Sequence, residues 1–248
     1  MSLLEELVAA ARQRARDLPR DEPLVRSTGI RFDEALRGKD RLGVIAEFKQ
    51  ASPSLGAIAE RDVVDQVRAY AQAGAVAVSV LTEPTRFQGK LEHLEQAAEA
   101  VDVPVLMKDF VVDPSQIRHA ARLGARAVLL IARCLSRLEL NELASACRHY
   151  ELVPLIECHD EDELDRALAL DDAVVGVNNR NLETLRIDRR IAGELLKAIP
   201  RQRVVVAESG YEHLEEMEEI RGLADAVLVG SVLMKSDNPS SFIREVSR

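Results

Sequence analysis

The stretch RLGARAVLLI, residues 122–131, shows the pattern that decides the fold. A polar segment ends at a glycine, and a short run rich in Val, Ala and Leu follows at once. The same arrangement, with its break at Gly or Asp, recurs in QAGAVAVSVL (72–81), LALDDAVVGV (168–177) and RGLADAVLVG (221–230). Continuous apolar runs of this kind are typical of parallel strands buried on both faces. Each repeat therefore predicts a helix followed by a buried strand.

Eight such runs predict an α/β fold, a (β/α)8 TIM barrel with an N-terminal helical extension. We expect residues 1–248 to form a single domain, with the extension at 1–40 and the barrel at 41–248. The alternative is a doubly wound open sheet, which usually has a Gly-rich G-x-G-x-x-G turn after its first strand, and this chain lacks that turn. The eight runs are GVIAEF, AVSVL, PVLMK, AVLLI, LVPLIE, AVVGVN, VVVAE and AVLVG.

Composition and charge argue against several classes of protein. The net charge of −9 disfavours nucleic acid and anionic membrane surfaces as partners. No apolar run is long enough to span a bilayer, and residues 1–23 resemble an amphipathic helix more than a signal peptide, so we expect a cytoplasmic protein. Cys134, Cys147 and Cys158 lack metal or redox spacing, and the five histidines are scattered, so no metal site is predicted.

Charged residues interrupt the apolar runs where the predicted strands end. Barrel enzymes place their chemistry at these carboxyl ends. Glu47 and Lys49 are two apart and therefore point to the same face, whereas Asp109 and Cys158 face away from the lumen if their neighbours Lys108 and Glu157 face inward. The other strand ends carry Asn178, Asn179, Arg180, Glu208 and Ser209. The cations Lys49, Lys108 and Arg180 would meet at one mouth, which predicts an anionic ligand.

The loops after the seventh and eighth runs favour a phosphate site. They contain ESGY (208–211) and VGS (229–231). Many barrels bind phosphate in these two loops through backbone N–H groups. Glycine allows the backbone to approach the phosphate closely. The predicted donors are Ser209, Gly210, Gly230 and Ser231, with the hydroxyl of Ser52 as an additional one.

The sequence resembles the indole-3-glycerol phosphate synthase family, whose members are barrel enzymes of tryptophan biosynthesis. Nearly the whole chain takes part in the resemblance, and RFDEAL looks like part of the extension that precedes the barrel in that family. The matching blocks are IAEFKQASPSLG, SVLTEPTRFQG, LMKDFVVDPSQI, AVLLI, LIECHDEDELDRAL, VGVNNRNLETL, VAESGY and VLVGSVLM.

The resemblance implies ring closure, decarboxylation and dehydration of 1-(o-carboxyphenylamino)-1-deoxyribulose 5-phosphate, without a cofactor or metal. It implies that Lys108 is the acid for ring closure, Lys49 an acid for dehydration and Glu157 a base. Contact with other tryptophan-pathway enzymes is a further expectation. The supporting residues it implies are Glu47 and Glu208 for the lysines and substrate hydroxyls, Asn178 and Arg180 for the carbonyl and carboxylate regions, Ser52, Ser209, Gly210, Gly230 and Ser231 for phosphate, and Phe87, Phe110, Pro53, Leu129 and Leu182 for the aromatic ring.

Three positions depart from the family pattern. Gln50 and Leu55 stand where basic or charged residues are common, and Asn181 stands where Asp is usual. We expect these changes to weaken substrate binding and to leave the chemistry intact. They would act through the charge of the phosphate-binding loop after the first strand and through the contacts that fix Arg180.

Two other functions stay open from the residues. In the first, Lys108 forms a Schiff base with a sugar-phosphate carbonyl, as desolvated lysines can. In the second, the barrel is catalytically silent and serves as a binding subunit, which the joint presence of Lys49, Lys108 and Glu157 argues against. Phosphoribosylanthranilate isomerase shares the barrel, but its Cys–Asp pair has no counterpart here.

Overall fold

The computed structural model describes residues 2–19, 29–37 and 41–247, and within them the predicted barrel is present. Eight parallel strands close into a ring, because the first strand pairs with both the second and the last strand of the barrel. This closure confirms the (β/α)8 prediction and excludes the open sheet. The strands are β1 Gly43–Phe48, β2 Ala51–Ser52, β3 Gly56–Ala57, β4 Ala77–Leu81, β5 Val105–Lys108, β6 Ala127–Ile131, β7 Val153–Cys158, β8 Val174–Asn178, β9 Val205–Glu208 and β10 Ala226–Val229, of which β2 and β3 lie outside the barrel.

Helices alternate with the barrel strands and cover the outer faces of the ring. Their apolar sides pack on the strands, so the side chains of most strand residues are almost fully buried. The helices are α1 Leu3–Arg16, α2 Phe32–Leu36, α3 Val63–Gln72, α4 Leu91–Ala100, α5 Pro114–Arg122, α6 Arg137–His149, α7 Glu161–Leu168, α8 Arg189–Ala198, α9 Leu214–Glu218, α10 Ser231–Lys235 and α11 Pro239–Val246, with a 3₁₀ turn at Ala132–Cys134.

The strand register brings the polar strand ends to one level. Glu157 on β7 lies opposite Gly176 on β8, and Asn178 on β8 lies opposite Glu208 on β9. Leu81 on β4 pairs with Lys108 at the end of β5. The charged residues of separate strands therefore open into the same mouth of the barrel.

The segment after β1 forms a short hairpin from β2 and β3. Ala51 pairs with Ala57 and Ser52 with Gly56 in an antiparallel arrangement. Gly56 has a φ of +66°, a value that glycine adopts without strain. Leu55, at the tip, is exposed.

Two helices of the extension pack against the barrel. Ser2 caps α1, and its hydroxyl accepts from the backbone N–H of Glu5, whose side chain accepts from Ser2 in return. The buried residues Leu7 and Ala11 of α1, and Phe32 and Leu36 of α2, belong to the same hydrophobic core as the strands. Residues 20–28 and 38–40 of the predicted extension lie outside the described residues.

A partly buried ion pair attaches α1 to the mouth of the barrel. Arg14 donates to the carboxylate of Asp109 at 2.7 Å, and its other terminal nitrogen lies 3.9 Å from Glu83. Asp109 also accepts from the hydroxyl of Thr82 at 2.8 Å and from the backbone N–H of Phe110 at 2.7 Å. Burial outweighs these donors, so the pKa of Asp109 is raised.

Replacing Arg14 with Ala leaves this carboxylate buried without its cation. We expect Arg14→Ala to lower the free energy of unfolding by about 1 to 3 kcal/mol, because an uncompensated buried charge is unfavourable. Urea unfolding followed by circular dichroism measures the change. Arg12→Ala is the matched control on the same helix, since Arg12 pairs with Glu139 at the surface and such pairs contribute about 0 to 1 kcal/mol. Equal losses for the two variants would contradict a special role for Arg14.

Candidate active site

A single pocket at the carboxyl ends of the strands contains all of the site residues predicted from the sequence. Side chains from most of the barrel strands and from the following loops line it, together with the first turns of α1. The predicted residues found there are Glu47, Lys49, Ser52, Pro53, Phe87, Lys108, Phe110, Leu129, Glu157, Asn178, Arg180, Leu182, Glu208, Ser209, Gly210, Gly230 and Ser231.

Lys108 lies at the centre of the charged part of the pocket. Its ammonium nitrogen is 2.8 Å from Oε2 of Glu208 and 3.3 Å from Oε2 of Glu157. Both carboxylates are buried, with 1% of each residue exposed. One cation therefore connects the ends of β5, β7 and β9.

These contacts displace the pKa values of all three groups. Burial favours the neutral amine of Lys108, but Glu208 and Glu157 outweigh it, so the pKa of Lys108 is raised. Burial also opposes ionisation of Glu157, yet Lys108 and His159 hold its pKa well below its usual range. Among the described residues, Lys108 is the cation that compensates Glu208, and burial outweighs it and raises the pKa of Glu208 to about 7. Below about pH 7, Glu208 is therefore mostly protonated while Glu157 is ionised.

Glycine at position 176 makes room for one of these carboxylates. A Cβ atom at Gly176 would overlap Oε1 of Glu208. That oxygen accepts no hydrogen bond from the described residues. Gly176 thus allows Glu208 to reach Lys108 from the neighbouring strand, a role that the sequence pattern did not reveal.

A second buried ion pair occupies the other side of the mouth. Nζ of Lys49 is 2.7 Å from Oε1 of Glu47, so the two side chains do share a face as their spacing predicted. A Cβ atom at Gly230 would overlap Glu47 and crowd Lys49. Gly230, predicted as a phosphate-binding residue, is therefore also required by the shape of the ion pair.

The loop after β8 positions Arg180. Its backbone N–H donates to the side-chain oxygen of Asn178 at 2.9 Å, and its guanidinium donates to the carbonyl of Leu185 at 3.0 Å. The side-chain oxygen of Asn181 accepts from the backbone N–H groups of Glu183 and Thr184. Asn181 therefore makes the contacts in this turn that an Asp at the same position could also make.

The other two departures from the family pattern lie away from the pocket lining. Gln50 donates to the carbonyl of Arg61 at 3.4 Å. Leu55, at the hairpin tip, is 44% exposed. Their effect on substrate binding stays a prediction.

The predicted phosphate end has an unusual backbone conformation. Ser209 and Gly210 have φ values of +59° and +81°, so two successive residues are left-handed. The side-chain amide of Asn179 holds this turn by donating to the carbonyl of Ser209 at 2.6 Å. After the adjacent strand β10, α10 begins at Ser231. Residues of these two neighbouring loops therefore line the same pocket.

The apolar part of the pocket contains a contribution that sequence reasoning missed. Leu3, Leu4 and Leu7 of α1 line it together with the predicted apolar residues. Their spacing gives α1 an apolar side. That pattern shows that the helix packs against something, but it does not identify the barrel mouth as its partner.

Glu83 is a second residue that sequence reasoning missed. Its buried carboxylate accepts from the backbone N–H groups of Thr85, Arg86 and Phe87, at 2.9, 2.7 and 3.2 Å. It also accepts from the hydroxyl of Thr85 at 2.6 Å. Glu83 therefore fixes the loop that carries Phe87 into the pocket.

The residues that the structure describes contain no cluster of His, Cys, Asp and Glu arranged to hold a metal ion. The helices among them are all too short or too polar to cross a membrane.

Comparisons with known proteins identify a family to which the sequence is similar over nearly its whole length. A family model described as indole-3-glycerol phosphate synthase matches residues 4–246. A protein of that name from Deinococcus radiodurans is 48% identical over 214 residues, covering 83% of this chain and 80% of the relative. Another, from Koribacter versatilis, is 42% identical over 243 residues, covering 96% and 94%. The solved structure of 3-hexulose-6-phosphate synthase from Salmonella typhimurium has a TM-score of 0.67 at 13% identity, covering 83% of this chain and 96% of that one, which supports the fold alone.

The raised pKa of Glu208 predicts a pH-dependent effect on stability. Between its ordinary value of 4.5 and about 7, native Glu208 keeps a proton that the unfolded chain has released. The protein therefore loses stability as pH rises through this window. Glu208→Gln has no such proton and escapes this loss. We therefore expect the free energy of unfolding of Glu208→Gln to rise relative to that of the parent between pH 4.5 and 7.

Urea unfolding across this pH range tests the effect. Glu194→Gln, at an exposed position on α8, controls for the substitution itself. A difference between Glu208→Gln and the parent that does not change with pH would contradict the raised pKa of Glu208.

Proposed function

Because the chain belongs to the indole-3-glycerol phosphate synthase family, we propose that it converts 1-(o-carboxyphenylamino)-1-deoxyribulose 5-phosphate to indole-3-glycerol phosphate, carbon dioxide and water. The observation that carries the proposal is the ammonium group of Lys108, held between Glu157 and Glu208 in a pocket that also has an apolar side. It supports Lys108 as the proton donor to the carbonyl oxygen, which would gain negative charge during ring closure.

The substrate would lie across the pocket with its two ends in different surroundings. The phosphate would bind Ser52, Ser209, Gly210, Gly230 and Ser231, with Lys49 beside it. The aromatic ring would occupy the apolar side, between loop residues of the barrel and α1. The apolar residues proposed for the ring are Pro53, Phe87, Phe110, Leu129 and Leu182, joined by Leu3, Leu4 and Leu7.

Lys108 would act in ring closure. The aryl carbon attacks the ribulose carbonyl carbon, a carbon–carbon bond forms, and the carbonyl electron pair moves to oxygen. Lys108 donates a proton to that oxygen. Its two glutamate partners keep it protonated before the reaction.

Two further steps complete the reaction. Loss of carbon dioxide returns the bonding electrons to the ring and restores its aromaticity. Lys49 would then protonate the departing hydroxyl group, which leaves as water. Glu157 would remove a proton from the carbon next to the ring nitrogen, and the electron pair of that C–H bond would form the new carbon–carbon double bond. The low pKa of Glu157 keeps its carboxylate ionised and able to accept that proton.

The other polar residues would hold the reacting groups. Glu47 orients Lys49, and Glu208 orients Lys108 or a substrate hydroxyl. Arg180 has a planar guanidinium that suits the substrate carboxylate, and Asn178 fixes the turn that presents it.

The charge state of Lys108 argues against the Schiff-base alternative. A lysine must lose its proton before it can attack a carbonyl carbon. Two carboxylates within 3.3 Å favour the protonated form. A silent binding subunit would have no need to retain both lysines and the three glutamates that surround them.

Three expectations from the sequence stay predictions. They are the single-domain organisation of residues 1–248, the cytoplasmic location, and contact with other enzymes of the pathway.

Substitution of the two central groups tests the proposed roles. We expect Lys108→Ala and Glu157→Gln each to lower kcat by about 10²- to 10⁴-fold, the range for removal of an acid or a base. The appearance of indole fluorescence from the purified protein and its substrate measures the rate. Lys197→Ala and Glu194→Gln, both at exposed positions on α8, are the matched controls. A folded parent that forms no indole product would overturn the proposed function.

Trapping with borohydride separates acid catalysis from Schiff-base chemistry. We expect no covalent adduct on Lys108 when sodium borohydride is added during turnover, because the amine stays protonated. Mass spectrometry of the digested protein measures this, with a Schiff-base aldolase as the positive control for the reagent. A substrate-derived mass on the peptide containing Lys108 would favour the alternative.

A further inference from the structure

His159 lies behind Glu157 and does not line the pocket. It follows β7 directly and is two residues after Glu157, so both side chains point to the same side of the chain. Nε2 of His159 is 3.2 Å from Oε1 of Glu157. The imidazole is 5% exposed, so water does not compete for this contact.

The other nitrogen of the imidazole contacts a second carboxylate. Nδ1 of His159 is 3.0 Å from Oε2 of Glu163, which also accepts from the backbone N–H of His159 at 2.8 Å. Nε of Arg133 donates to the remaining oxygen of Glu163 at 2.6 Å. Asp160 caps α7 by accepting from the backbone N–H of Glu163, and it accepts from Arg133 as well. Glu163 is therefore held firmly by its neighbours.

Two carboxylates beside one imidazole favour a charged ring. Nδ1 of His159 forms a hydrogen bond with Glu163, whereas Nε2 and Oε1 of Glu157 are close but not aligned as a hydrogen bond, so this second contact is an ion pair. A neutral imidazole has only one N–H group and no charge to offer Glu157. The imidazolium form donates to Glu163 and places a positive charge beside Glu157. Burial opposes this charge, but the contacts with Glu157 and Glu163 raise the pKa of His159 to about 9.

We propose that His159 is a positioning residue, which Glu163 holds as an imidazolium so that it fixes the direction and the negative charge of the Glu157 carboxylate. The proposal rests on the proposed function, in which Glu157 is the base. Nε2 of His159 lies 3.2 Å from one oxygen of Glu157, and the other oxygen lies 3.3 Å from Nζ of Lys108 in the pocket. The pocket-facing oxygen is thus the one available to accept the substrate proton.

Other titratable groups near His159 have to be considered in any pH experiment. Burial raises the pKa of the Cys134 thiol to about 12, so this group is neutral near pH 7. Glu208 titrates near pH 7 in the same pocket, so only the difference between variant and parent is informative. The groups that face the Glu157–His159 pair are Lys108 from β5, Arg133 and Cys134 from the 3₁₀ turn, Asp160 and Glu163 from α7, and Glu208 from β9.

The first test needs no substrate and is independent of the proposed function. NMR of the protein labelled with ¹⁵N-histidine reports the protonation of each ring, and His159→Gln assigns the signal. We expect His159 to remain an imidazolium at neutral pH, with a midpoint near 9. Glu163→Gln, which removes one of the two anions, should lower this midpoint. A midpoint near the ordinary value of 6.5 in the parent would overturn the proposal.

The second test is kinetic. We expect His159→Gln to lower kcat/KM about 10- to 100-fold, similar to removal of the residues that orient metal-binding histidines. The acid limb of its pH profile should move to higher pH, because the pKa of Glu157 rises when the adjacent cation is lost. His149→Gln, at an exposed position on α6, is the matched control.

The outcomes distinguish a positioning role from a structural one. A structural role alone would lower the free energy of unfolding without moving the acid limb, and that result would overturn the proposal. Should His159→Gln not fold, Glu163→Gln must move the acid limb in the same direction. An inactive parent would instead count against the proposed function and leave the NMR result to decide the charge of His159.

Discussion

The charged centre of the pocket depends on one physical constraint, which is that a buried ion needs a partner of opposite charge. Lys108, Glu157 and Glu208 come from three different strands, and each would be unfavourable in this position without the others. The register of the parallel strands brings their ends to one level. Assembly of the charged centre therefore depends on correct pairing of the strands.

The barrel and much of its pocket could be predicted because their signals are local. Each barrel strand is a continuous apolar run, and each charged residue interrupts such a run at its carboxyl end. In a parallel barrel these ends meet, so the sequence positions of Lys49, Lys108 and Glu157 were enough to place them together. Ser209, Gly210 and Gly230 were identified in the same way.

The remaining site residues depend on contacts between distant parts of the chain. Nothing in the pattern of α1 indicates that Leu3 and Leu7 complete an apolar pocket. In the sequence, Glu83 resembles an ordinary loop carboxylate, and its three backbone donors are known only from the structure. Gly176 resembles any glycine in a strand, and its importance comes from an oxygen of Glu208 on the next strand. These roles are set by side-chain packing, which the periodicity of a sequence does not contain.

The attachment of α1 also has a consequence for how the chain reaches its native state. This helix is made before the barrel, and its partners follow much later in the chain. Arg14 needs Asp109, Arg12 needs Glu139, and the hydroxyl of Ser115 donates to the carbonyl of Ala15. Contacts over such sequence separations form slowly. The leucines of α1 must therefore stay exposed on the nascent chain until almost half of the barrel has left the ribosome, and this interval is when chaperones would find a hydrophobic target.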